Sequence, residues 1–369
     1  MSGEEANRAV RVLSIPGRRT ATRYIKLFCK ALDDAGVKVV DADSRDAALF
    51  RFDILHLHFP YFYIVEKSPL VAAVWFLIFA VVLGACRASG KLVVYQIHDV
   101  IPFHDRNAWL LWPFLEMVHR ATDGFVFLSP SSKAEFYRRN AAQAAKPFLM
   151  LPHAPYPVRM SDPRLRQRRR SELSGGTDAF IVGYFGYRQA RKGLHALAML
   201  PERLADGRAV RLLVAGVTAP EFTTEARAIL ARLPASMLTL HDKRLSDEEL
   251  NETLQSVDLA LAPYTEGWNS GMALLILSNR VRCLCSDLPM FTDLQAEVGA
   301  SWVETFSWSG NSEASFRAAL DRIVASAASI AEVQVLERFL DASSFASGAV
   351  RLRGFYERLL GTSREPICV

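Results

Sequence analysis

Short apolar runs alternate with helix-period segments along this chain, and they do so twice, which constrains the fold more than any other feature of the sequence. In the first half the strand-like runs are 10–15, 37–40, 53–58, 91–97, 124–128 and 148–151. Helical periodicity falls between them at 23–35, 108–121 and 134–145, with serines at 129–132 offering N-caps to the last. The stretch 155–176 interrupts the rhythm with Pro155, Pro157, Pro163 and Gly175-Gly176, and reads as the connection between halves. Its arginines (Arg164, Arg166, Arg168, Arg169 and Arg170) read as a solvated helix face. Strands recur at 179–185, 211–215, 237–240, 257–262 and 281–285, with helical segments at 192–204, 224–233, 247–256 and 271–278; 313–360 is largely helical. Strand and helix at this spacing specify parallel sheets covered on both faces. The expected fold class is α/β: two Rossmann-like, doubly wound domains facing a cleft, with C-terminal helices. The expected domains are 1–155, 156–345, and a C-terminal helix within 346–369 that packs back on the first.

The size agrees, since 369 residues suit two cores of ordinary dimensions. A net charge of +5 suits contact with anionic lipid or a phosphorylated ligand. Cys29, Cys86, Cys283, Cys285 and Cys368 are odd in number and irregularly spaced. Cys283 and Cys285 share one face of a strand but are poorly placed to bridge each other. With no disulfide framework and no zinc spacing, a reducing compartment is expected. Residues 1–11 carry acidic groups and no apolar core, so no secretory signal is expected.

Residues 70–86 test a cytoplasmic placement, because they contain no charged or strongly polar side chain. As a helix they would extend about 25 Å, slightly less than the roughly 30 Å hydrocarbon core of a bilayer. They lie between two apparent strands, which a true span would place on opposite sides of the membrane. A crossover helix, buried or dipping into the interface, keeps both strands in one sheet and is the expectation.

Ligands of such sheets bind outside the carboxyl ends of the strands. In the second half, Gly186, Arg188, Arg191, Lys192 and Gly193 follow a strand and open a predicted helix, a combination of free N–H groups and positive charge shaped for a diphosphate. The alternative is an ordinary basic surface loop. The second loop contains Tyr264, Glu266, Ser270 and Gly271, where a carboxylate can accept from sugar hydroxyls and a hydroxyl at a helix start can hold a phosphate. Ser270 as a simple N-cap is the plainer reading. In the first half, His98 and Asp99 end the fourth strand, where an imidazole can hydrogen-bond a sugar or take a proton and a carboxylate can act as base. His58 and Tyr61 are acceptor-side candidates, against packed-core alternatives; His56 and His153 fit structural roles equally well. Phe59, Phe62 and Tyr63, like Trp109, Trp112 and Phe114, suit sugar stacking, a membrane surface or a core.

Gly186 to Gly193, then Pro263 to Gly271, then Ser286-Asp287-Leu288-Pro289 resemble the nucleotide-sugar half of GT-B glycosyltransferases, specifically those like glycosyltransferase family 4. Leu55-His56-Leu57-His58-Phe59-Pro60, His98-Asp99-Val100-Ile101-Pro102, Asp123-Gly124 and Pro152-His153 extend the resemblance over nearly the whole chain. It implies that Lys192 meets the donor diphosphate and that Glu266 is the first glutamate of the family's pair. Two positions depart from the pattern. Tyr187 stands where an arginine usually follows the glycine, leaving Arg188 or Arg191 to substitute, and the second glutamate is replaced by Leu274 or Leu275. That variant resembles bacterial sequences associated with β-mannosyl transfer, which implies GDP-mannose as donor without fixing the stereochemistry.

The resemblance therefore implies an enzyme that moves a hexose from a nucleoside diphosphate sugar to a lipid-linked or polysaccharide acceptor. It would work at the inner face of the cytoplasmic membrane as a peripheral protein, without nucleic acid. No cofactor and no metal are expected, since no Asp-x-Asp stands in a suitable loop. The alternatives are a GT-B-fold epimerase or phosphorylase, or a degenerate transferase serving as a scaffold in polysaccharide assembly. A nicotinamide dehydrogenase is disfavoured, because no Gly-x-Gly-x-x-Gly follows the first strand.

Overall fold

Largely apolar strands form two parallel sheets, each in its own unit of the chain. The structure is a computed structural model that describes residues 9–19, 22–102 and 107–361. Cys368, residues 1–8 of the N-terminal segment, and residues 362–369 of the expected C-terminal piece lie outside the described residues. One unit runs to His153 and takes up the chain again at Ala342; the other is Ala154–Asp341.

The first unit contains β1 (Arg11–Ile15), β2 (Lys38–Val40), β3 (Ile54–Leu57), β4 (Leu92–Ile97), β5 (Gly124–Phe127) and β6 (Phe148–Met150), in the order β2-β1-β3-β4-β5-β6. Every pairing is parallel. The chain winds to one side of β1 and then to the other, so the strand order reverses between β1 and β3. The C-terminal helix Phe345–Leu359 packs on the helix Arg23–Asp34. Arg353 Nη1 donates to Ala35 O at 3.1 Å. Gly124 is required under this helix, because an added Cβ would lie 2.8 Å from the Phe355 ring.

The helix Pro69–Ala88 connects β3 to β4, which pair directly from Ile54–Leu92 to Leu57–Tyr95. Its 20 residues are long and apolar enough to cross a membrane, yet both of its ends feed one sheet. It is a crossover helix. Its faces divide: Ala72, Phe79, Leu83 and Cys86 face inward, while Leu70, Val74, Leu77 and Val81 are exposed.

The second unit contains β7 (Phe180–Phe185), β8 (Val210–Ala215), β9 (Leu238–His241), β10 (Leu259–Ala262), β11 (Arg282–Ser286) and β12 (Val303–Phe306), in the order β12-β11-β10-β7-β8-β9, again all parallel. This is the doubly wound dinucleotide-fold order, with its reversal between β7 and β10. An apolar core covers each face, one around Val182, Leu212 and Phe316 and the other around Ile181, Ala260 and Phe291. Cys283 and Cys285 are buried free thiols with sulfurs 3.2 Å apart.

Three elements differ from the sequence expectation. The proline-rich connection contains the helix Pro163–Ser174, capped by Asp162 and closed by left-handed Gly175. Its Arg169 pairs with Glu252 and its Arg170 with Asp258, so part of the arginine cluster clamps the helix to its own unit. β12 carries Glu304 and Thr305 at its centre, which hides a strand whose edge position lets Glu304 meet Arg322 at 3.0 Å. The helix expected over 192–204 is replaced by two 3-10 segments, Ala190–Lys192 and Leu194–Met199. Gly193 separates them at φ +65°, with the Pro263 carbonyl so close that a Cβ would sit 1.8 Å from its oxygen.

Candidate functional site

In the second unit the loops after β7 and β10 leave adjacent strands at the point where strand order reverses, so topology alone sets them side by side. Glycines bring them into backbone contact. Gly216, after β8, approaches Gly186 so closely that a Cβ would lie 2.0 Å from the Gly186 oxygen, and Gly193 does the same against Pro263. Thr265 N donates to Arg191 O at 3.0 Å, tying the second loop to the first.

Lys192 is the cation at this junction. Its Nζ lies 3.5 Å from the centroid of the Tyr264 ring, a cation–π contact that holds the ammonium in place. Tyr264 is itself fixed from several directions. Ser286 Oγ donates to its carbonyl at 2.6 Å, Trp308 Nε1 donates to the same carbonyl at 3.1 Å, and Phe291 packs edge-on at 5.4 Å. Burial raises its phenol to about 12, so it stays neutral.

Ser270 accepts from Ala273 N at 3.1 Å and caps the helix Gly271–Ser278, as the plainer reading had it. That helix opens at Gly271 beside the Lys192 loop, and its first N–H groups have no intrahelical acceptor. Glu266 is exposed in the same loop. Leu274 and Leu275, at the place of the second carboxylate, are buried in a helix that is apolar on every side.

Arg188 does not join this group. Its side chain is 1% exposed, its Nε donates to Thr218 Oγ1 at 2.8 Å, and its Nη2 pairs with Asp242. It braces the loop after β7 against the loops after β8 and β9 through Nε and Nη2, while its Nη1 is buried without a hydrogen-bond partner. The 3-10 turn also replaces the helix N-terminus that residues 186–193 promised, and carries both Arg191 and Lys192. Sequence reasoning missed Trp308, Gly216 and Asp242, each of which acts through a contact distant in sequence.

The first unit assembles its candidates at the ends of β3 and β4. His58 Nδ1 and His98 Nε2 are 3.2 Å apart, Phe59 stacks on His98 at 4.0 Å, and Tyr24 meets His98 edge-on at 5.5 Å. His56 lies behind, stacked on His58 at 4.5 Å and bonded through Nδ1 to Tyr356 of the C-terminal helix. Tyr61 is buried and donates its hydroxyl to Asp99. Desolvation, reinforced by neighbouring histidines, pushes His58 and His98 well below the ordinary imidazole value, and desolvation takes His56 to about 3. His98 is therefore neutral at physiological pH. Of the two roles expected of it, burial favours hydrogen bonding over taking a proton, and leaves Asp99 as the more basic candidate. Tyr24 gave no sequence signal, yet it lies 4.5 Å from the His153 ring and accepts from Gln96 at 3.0 Å. Among the described residues no group of three or more His, Cys, Asp or Glu is arranged to hold a metal ion.

No family model matches the chain. Among solved structures, sucrose-phosphate synthase from Thermosynechococcus elongatus aligns over 96% of this chain and 100% of its own, with TM-score 0.65 and 15% identity. Anabaena Alr3699/HepE, solved in complex with UDP and glucose, aligns over 96% and 97%, with TM-score 0.58 and 12% identity. These likenesses establish the GT-B fold. In sequence, a GDP-mannose:glycolipid 4-beta-D-mannosyltransferase of Xanthomonas campestris pv. campestris is 25% identical over 283 residues, covering 76% of this chain and 74% of that protein. A second protein of that name and species is 24% identical over the same length. The chain is a GT-B glycosyltransferase.

Proposed function

We propose that the chain transfers mannose from GDP-mannose to a glycolipid acceptor, as a metal-independent peripheral enzyme on the inner face of the cytoplasmic membrane. The observation that carries this reading is the junction of the two loops at the strand reversal of the second unit, where Lys192 is held over Tyr264 beside the start of the helix Gly271–Ser278. A fixed ammonium and helix N–H groups are the elements that stabilise a departing diphosphate. The relatives' names supply the donor and the class of acceptor.

A β-linked product from an α-configured sugar nucleotide requires inversion at the anomeric carbon. The acceptor hydroxyl attacks C1 as the bond to the diphosphate breaks, GDP leaves with the bonding pair, and the hydroxyl proton passes to a base. Asp99, oriented by the Tyr61 hydroxyl, is that base in this reading. Neutral His98, buttressed by His58 and Phe59, hydrogen-bonds the transferring sugar. Peripheral attachment is supported by the exposed row Leu70, Leu77 and Val81, with Trp109 and Trp112 exposed on the neighbouring helix Ala108–Ala121. Phe79 and Phe114, 5.1 Å apart, pack these two helices together.

A thermal-shift series with GDP, UDP, GDP-mannose and UDP-glucose tests the assignment, since a ligand bound only by the native state raises its apparent stability. GDP and GDP-mannose should shift the transition most, and Lys192→Ala should abolish the shift. Equal or greater stabilisation by UDP would remove the donor assignment.

A further inference from the structure

The helix Pro69–Ala88 has a second apolar face that neither the sheet nor a bilayer surface accounts for. Trp75, Ile78, Phe79 and Val82, spaced as one helical row, line a cavity of about 500 Å3 in the first unit. That volume falls within the roughly 300–1,000 Å3 of small-molecule sites. Leu55 of β3 and the turn 15–17 after β1 complete much of its wall, so it borders the strand reversal between β1 and β3. Its polar lining comes from Arg19, Asp41 and Asp43, with Arg19 paired to Asp43.

One helix thus presents one apolar row to this cavity and another, Leu70, Val74, Leu77 and Val81, to the exterior. A helix on the surface of a water-soluble domain needs only one apolar stripe. Two are expected where an amphiphile must leave a lipid phase and enter the protein beside it. The apolar walls fit a hydrocarbon chain, and the guanidinium among the polar lining residues fits an anionic head group.

We propose that this cavity binds the hydrocarbon chain of a lipid-linked phosphate, with Arg19 exchanging Asp43 for the phosphate. The site deepens the glycolipid-acceptor reading and rests on it for its biological role. It places the lipid chain against the cavity row of the helix and the head group beside the ends of β1 and β2, where Arg19 and Asp43 stand.

The test uses the full chain and farnesyl phosphate in detergent-free buffer. Calorimetric titration should show saturable binding, weakened at least tenfold by Val82→Trp, which fills the cavity, and by Arg19→Ala, which removes the cation. Circular dichroism establishes that each variant folds. Photolabelling of the unmodified chain with a diazirine analogue of farnesyl phosphate should mark Trp75, Phe79 or Val82, which are less exposed than Ile78. Labels confined to Leu77 or Val81 would place the lipid on the outer face and overturn the proposal. So would unaltered affinity in folded Val82→Trp. The function reading fails separately: farnesyl phosphate bound in the cavity of a protein that transfers no sugar would sink that reading and leave the lipid site standing.

Discussion

The Lys192 ammonium sits 3.5 Å above the Tyr264 ring, although the two residues belong to loops that follow different strands. The ring holds the cation in place, whereas Arg188 is tied to Asp242. Lys192→Ala should therefore lower kcat/KM about 10²–10³-fold, the usual cost of removing one donor to developing negative charge. Tyr264→Phe keeps the aromatic face and should lose less than fivefold, while Tyr264→Leu should lose at least tenfold. Steady-state kinetics on the three variants decide this. Equal losses for Phe and Leu would show that the ring does not position the lysine.

Gly193 is where the two loops touch. An alanine there would have to keep φ +65° and place its Cβ 1.8 Å from the Pro263 oxygen. The left-handed backbone alone costs about 1–2 kcal/mol for an L-residue, and the overlap forces the loops apart in addition. Gly193→Ala should lower the urea midpoint and weaken GDP binding together. Gly207→Ala, also at positive φ but with no atom near its Cβ, should lose stability alone.

The same pair of glycines shows where the sequence was legible and where it was not. Strand, helix and glycine patterns are local, and they placed eleven of the twelve strands among the described residues because most of these strands are apolar runs buried in a parallel sheet. Lys192 and the 263–271 loop were legible because they stand next to strand ends. The fate of Arg188 was not, because Thr218 and Asp242 reach it from loops 30 and 54 residues away. The helix expected over 192–204 failed for a similar reason. Its periodicity is genuine, but the Pro263 carbonyl fixes Gly193 in a conformation that stops an α-helix.

The buried imidazoles of the first unit make its stability dependent on pH. His56 is taken down to about 3 and His119 to about 4, and His58 and His98 move in the same direction, with desolvation the largest cause in all four. Unfolded histidines titrate near 6.5, so below that pH the unfolded chain binds protons that the native chain refuses. The stability these groups contribute is complete above about pH 6.5 and is lost as the pH falls towards 3–4. His56 and His119 should each cost about 2 kcal/mol between pH 6.5 and pH 5. Urea unfolding at pH 7.5, 6.5 and 5 should show little change across the first interval and a loss of several kcal/mol across the second. A flat profile down to pH 5 would mean that these rings are not desolvated.

Arg188→Ala should damage folding before it damages donor binding. The substitution removes a side chain that is 1% exposed and the bonds it makes to Thr218 and Asp242. Hydrogen bonds to charged groups contribute about 1.5–3 kcal/mol each when buried. Asp242 is largely exposed and is rehydrated when its partner goes, which places the expected loss near the lower figure. Thermal denaturation should shift down by several degrees, while the protein that remains folded binds GDP with nearly unchanged affinity. Loss of GDP affinity at full stability would return Arg188 to the donor site.

The proposed membrane attachment can be tested apart from chemistry because the outer row of the helix Pro69–Ala88 is exposed. Leu77 is 64% and Val81 71% exposed, so replacing both with glutamate leaves the packed row of Ala72, Phe79 and Leu83 intact. Burying a leucine or valine contributes about 1.5–3 kcal/mol. Losing two such contacts, and adding two carboxylates against an anionic surface, should weaken vesicle binding at least 100-fold. Sedimentation with phosphatidylglycerol-containing vesicles measures this directly. The double variant should stay soluble, keep its thermal transition and keep its response to GDP. Trp109→Ala, removing a ring that is 67% exposed on the adjacent helix, should weaken vesicle binding by a smaller factor and in the same direction. If the glutamate variant still sediments fully with vesicles, attachment runs through another surface and the exposed row must face a protein partner instead.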